Sequence, residues 1–67
     1  MIKAIYSTGG IAYYQDDLHC IPIIKRQLRS ICKRDHIINR AFFPFCEIVK
    51  IDKDNNEVQF LGIVTVD

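Results

Sequence analysis

Between His19 and His36 the chain reads HCIPIIKRQLRSICKRDH, where apolar residues recur at helical spacing. With Leu28 set inward, Ile21, Ile24, Ile31 and Cys32 fall within about 60° of it at about 100° per residue, forming one apolar stripe. The opposite side is basic. Lys25, Arg29 and Lys33 make an i, i+4, i+8 row flanked by Arg26 and Arg34, and no acid joins them before Asp35. Pro22 has no N–H and is tolerated in a first turn, which predicts a regular helix starting at about His19 to Ile21. Asp35 and His36 can remain helical before the β-branched and turn-like Ile37-Ile38-Asn39.

The pattern on either side of this helix is that of strands. Ile2 to Ser7 is rich in strand-forming side chains and ends at Gly9-Gly10, which can supply the positive φ of a tight turn; Ile11 to Tyr14 is the returning strand. Gln15-Asp16-Asp17 precedes the helix, where negative charge favours a helix N-terminus. After it, Pro44 excludes a central strand at its own position, Phe45 to Ile51 has strand character, and Asp52 to Asn56 is a turn cluster. Glu57 to Val66 is the strongest strand, with Val58, Phe60, Val64 and Val66 on one face and Leu61 and Ile63 on the other. The order ββαββ predicts an α+β fold, one amphipathic helix on one face of a small antiparallel sheet of about four strands. One helix covers only one face. The apolar side chains of the second need the Phe42/Phe43 segment folded over them or another molecule, a second copy of the chain included.

Sixty-seven residues suit a single small domain spanning 1–67, one that buries only about 60% of the surface its unfolded form exposes. Half of the residues are hydrophobic and a quarter charged, which excludes intrinsic disorder. Net charge is only +1, yet it is unevenly spread: from Lys25 to Arg40 six basic residues face one acid, a local +5 that leaves −4 for the remainder. Three cysteines, Cys20, Cys32 and Cys46, are an odd number at unpatterned spacings, against a disulfide framework and in favour of a reducing, cytoplasmic setting. No apolar run reaches the ~18 residues of a membrane span, and no signal-peptide core follows Lys3.

Candidate chemistry narrows to the basic helix face. Like charges four apart cost an isolated helix about 0.2 to 0.5 kcal/mol per pair, a cost that an anionic partner removes. A solvated face neutralised by Asp52, Asp54 or Glu57 is the plain alternative. Cys20 and Cys32 are too far apart along a helix, about 18 Å, to share a zinc ion, and Cys32 on the buried stripe is a poor nucleophile. Asp52, Asp54 and Asn56 imitate the start of a calcium loop, but Glu57 stands where that loop needs glycine and Ile63 where it needs glutamate. No metal, cofactor or catalytic residue is therefore expected.

The expected function is that of a small non-catalytic binding protein, a modulator or inhibitor docking on a larger protein with an acidic surface. Phage and mobile-element proteins of this size offer an analogy of economy, not of motif. Its contact residues are expected to be Lys25, Arg26, Arg29, Lys33, Arg34 and Arg40, with Phe42, Phe43 and Phe45 as the adjacent apolar patch. The alternative is a nucleic-acid binder or small ribonuclease using the same arginines, against which stands a pI near 7.7, well below that of dedicated nucleic-acid binders. No membrane partner is expected.

Overall fold

The computed structural model describes residues 1–15 and 17–67, the side chains of Asp17 and Leu18 excepted. The elements run β1 (Ile2–Tyr6), β2 (Ile11–Tyr14), α1 (Asp17–Arg34), a 3-10 turn (Arg40–Phe42), β3 (Phe45–Ile51) and β4 (Glu57–Thr65). The four strands form one antiparallel sheet in the order β2-β1-β3-β4, and α1 packs on one face of it, the α+β arrangement that the alternation of strand and helix patterns predicts. The two hairpins join through β1 and β3, from Ile2 opposite Lys50 to Tyr6 opposite Cys46.

Cross-strand partners share a face, so the register defines what α1 covers. The middle row beneath it is Ala12, Ala4, Ile48 and Gly62. Three of these four are small. That leaves room for the two fully buried helix residues, Ile24 and Leu28, which pack with Ala4 and Ile48 in a core that also holds Ile2, Tyr6, Cys20, Cys46 and Val64.

The buried stripe of α1 is rotated from the one its periodicity predicts. Cys20, Ile24, Leu28 and Ile31 are buried, Cys32 is half-buried and Ile21 is exposed. At that end of the sheet the helix-facing positions of β3 and β4 are Lys50 and Gln59, both exposed. The helix also starts at Asp17, earlier than expected, and carries Pro22 inside it. The acids Asp16 and Asp17, expected at the helix N-terminus, lie outside the described residues and side chains.

At its other end α1 stops at Arg34 because His36 adopts a left-handed φ of 53°. The Ile37 N–H then reaches back to the Cys32 carbonyl (2.9 Å) and the His36 N–H to that of Lys33 (3.4 Å). This pair of bonds closes a helix, usually with glycine at the left-handed position. Asp35 and His36 are therefore turn residues, which an apolar period could not reveal.

β4 departs from strict alternation at two bulges. The register passes from Gly62 opposite Ile48 to Phe60 opposite Val49, and from Gln59 opposite Lys50 to Glu57 opposite Ile51. Each leaves one residue of β4, Leu61 and Val58, without an opposite number. Gly62, at φ 146°, supplies backbone that other residues adopt only with strain. The consequence is a correction to the period-two reading: Phe60 lies with Ile63 on the uncovered face, while Val64 stays beneath the helix.

The Asp52 side chain organises the β3–β4 turn, accepting from the N–H groups of Asp54 (2.9 Å) and Asn56 (3.0 Å) and from the Asn56 amide nitrogen (3.4 Å). The carboxylate is thus spent on the turn's own amides.

Truncating Leu28 to Ala should cost about 3 kcal/mol of unfolding free energy, read as a lower urea midpoint with unchanged slope. The bonds to Asp52, that of the Asn56 N–H foremost, hold its carboxyl below the usual carboxylate range. Since the folded value lies below the unfolded one, its stabilising contribution is complete above about pH 4 and is lost as pH falls through the folded value. Urea midpoints taken across that acid range should fall less steeply for Asp52→Asn than for the wild type.

Candidate functional site

The helix-facing side of the molecule carries two grooves, one along each flank of α1. On the β4 flank, a cleft of about 380 Å³ is lined by Arg29, Cys32, Lys33 and His36 from the end of the helix, by Ile37 and Ile38 beyond it, and by Phe43 and Val66. Its floor is apolar and its rim cationic. Phe43 is positioned by the 3-10 turn, whose first turn is capped where the Asn39 side chain accepts from the Ala41 N–H (3.0 Å). Pro44 is buried immediately after it and β3 begins at Phe45, whose N–H donates to Ser7 Oγ (3.0 Å).

Phe43 is also a wall of a second hollow, of about 350 Å³, in which it meets Arg40, Phe45 and Ile63 at the end of the sheet. A band of alternating cationic and apolar groups thus runs from Arg29 and Lys33 through Phe43 to Arg40 and Phe45. The structure brings these five expected contact residues together. Lys25, half-buried, and the exposed Arg26 continue the same flank toward the helix N-terminus. Lys25, Arg26, Arg29 and Lys33 make no ion pair with any described residue. Of the three acids expected to neutralise them, Asp52 is engaged in its turn and Glu57 lies 3.8 Å from Lys3, and Asp54 makes no ion pair with them.

Two expected members of the surface are placed differently. Arg34 lies on the other flank, in a groove of about 440 Å³ with Tyr6, Tyr14, Gln27 and Ile31, and makes a two-pronged contact with Asp35 (3.0 and 3.2 Å). Arg34 follows Lys33 by one residue, a step of about 100° round the helix that carries it off the flank Lys33 occupies. That contact holds the Asp35 carboxyl below its usual range. Phe42, at 73% exposure, stands in solvent. The sequence pattern missed His36 as a rim residue, because the reversal that swings it toward Lys33 is a backbone event at a residue that is not glycine.

The thiols divide by burial. Cys20 and Cys46 sit in the core, and burial, with Cys20 nearby, pushes the Cys46 thiol up to about 11. Burial and the neighbouring Tyr14 likewise hold the Tyr6 phenol above its ordinary value. Among the described residues no group of three or more His, Cys, Asp or Glu side chains is placed to hold a metal ion, and no helix is long and apolar enough to cross a membrane. What the site offers chemically is charge and an apolar recess, on a helix laid across an antiparallel sheet. No known protein family, characterised protein or solved structure matches the chain.

Alkylation of the native protein at neutral pH should modify Cys32 first and spare Cys20 and Cys46, which should react only on unfolding. Mass spectrometry of the labelled peptides reads the order directly, and early labelling of Cys46 would contradict the seating of α1.

Proposed function

We propose that the protein is a non-catalytic modulator that docks on an acidic surface of a larger protein through the β4 flank of α1. The observation that carries this reading is the cleft in which Arg29, Lys33 and His36 surround an apolar floor closed by Phe43. An aromatic anchor beside unpaired cations is the composition that concentrates binding energy at protein interfaces, where Arg and large aromatic residues dominate. The cations Lys25, Arg26, Arg29 and Lys33 steer an acidic partner to the face, and the recess at Phe43 accepts one of its apolar side chains. The charge distribution favours an orienting role over blanket attraction, since a chain of net charge +1 concentrates its positive charge on one helix.

The reversal Arg29→Glu with Lys33→Glu should abolish retention of the partner from lysate while the far-ultraviolet circular dichroism stays unchanged. Phe43→Ala should weaken it by about tenfold, the scale of a buried aromatic contact. Nuclease treatment separates this from nucleic-acid binding. Retention that disappears with nuclease, together with a loss of about 0.7 to 0.9 log units of affinity per phosphate contact for each tenfold rise in salt, would replace the protein-docking reading with the nucleic-acid one.

A further inference from the structure

The sheet face that α1 leaves uncovered holds two complete rows of side chains. The first is Tyr13, Lys3, Val49 and Phe60; the second is Ile11, Ile5, Glu47 and Ile63. Its corners are apolar and wet: Ile11, Tyr13, Phe60 and Ile63 are 50 to 59% exposed. Its centre is charged. Glu47, half-buried on β3, has no ion-pair or side-chain hydrogen-bond partner among the described residues. Lys3 stands diagonally from it, one strand and one row away. Lys3 reaches Glu57 at 3.8 Å, and since Glu57 is on β4 the lysine stem must cross β3, where Val49 and Ile51 are buried.

We infer that this face is covered by a second copy of the chain. A two-fold axis lying in the interface plane, placed to exchange the positions of Lys3 and Glu47, sets each lysine against the partner's Glu47 and each glutamate against the partner's Lys3. Such an axis runs obliquely to the strands, so the two sheets cross steeply, one of the established ways in which sheets stack. The face is its own complement in charge, and the same axis lays Phe60 beside the partner's Phe60 and Ile11 beside the partner's Ile11. The Lys3–Glu57 contact is long enough to be exchanged for the new one.

Area supports the same occupant. The chain exposes 4861 Å², whereas a compact monomer of its mass is expected to expose about 4,400 Å². Four strands about 4.8 Å apart and a face about 20 Å long bury on the order of 1,000 Å² when two copies meet, the lower end of specific interfaces. The dimer is therefore reversible. Its helices lie on the outside, one on each outer layer, so the cleft at Arg29, Lys33 and Phe43 remains open to the partner proposed above, while the second hollow shares Ile63 with the covered face.

Sedimentation of the full chain over a wide concentration range tests this. The wild type should approach twice the chain mass as concentration rises. Lys3→Glu or Glu47→Lys alone should weaken association by about tenfold or more, because like charges then oppose each other across the axis. The double variant should restore it. Ile63→Asp should leave a monomer with unchanged circular dichroism. Should Ile63→Asp fail to fold, the charge swap still decides. A wild type that is monomeric at every concentration would overturn the inference, as would association indifferent to both reversals or a double variant no stronger than the singles. Loss of partner retention in the Arg29/Lys33 variant bears on the helix flank alone and leaves this result untouched.

Discussion

The structure depends on how closely α1 can approach the sheet. Ile24 and Leu28 are fully buried against a core whose middle row offers Ala4, Ala12 and Gly62 beside a single large residue, Ile48. In so small a chain one helix supplies nearly all the cover available, so an added side chain at the fully buried Ala4 would lift the helix from its seat, whereas a Cβ at Gly62 would meet nothing within 4 Å. Everything attached to α1 moves with it, including both flanking grooves.

The same constraint divides the molecule's charge. With Cys20, Ile24, Leu28 and Ile31 committed to the core, the helix presents Lys25, Arg29 and Lys33 toward the β4 side and Arg34 toward β2. The segment after the helix then completes what the helix begins. His36 reverses the chain, and the 3-10 turn brings Phe43 under the cations and Arg40 around the sheet end. The functional proposal rests on this convergence, since a row of cations with no apolar recess beside it would serve equally well as a solvated face.

The uncovered face shows the other side of using one helix for a four-stranded sheet. Phe42 and Phe43 do not fold across it; Phe42 stands in solvent and Phe43 turns to the helix cleft. The two bulges in β4 then enlarge its apolar content by placing Phe60 beside Ile63. β4 is also an edge strand, and bulges of this kind discourage edge-to-edge pairing.

Much of the fold is legible in the residues themselves. Ile11–Tyr14 and Phe45–Ile51 occupy the strands that their composition predicts, and the α+β class follows from the order of patterns, because local propensity and burial period agree in these segments. The basic flank was readable too, since side chains four apart share a helix face whatever lies beneath. What tertiary structure alone decided are the departures from period: the rotated stripe that exposes Ile21, the bulges that turn Phe60 over, the left-handed His36, the separation of Arg34 from Lys33, and the pairing of β1 with β3. Each depends on a contact between segments distant in the chain, or on one backbone angle at a residue that does not advertise it, and a one-dimensional pattern carries neither.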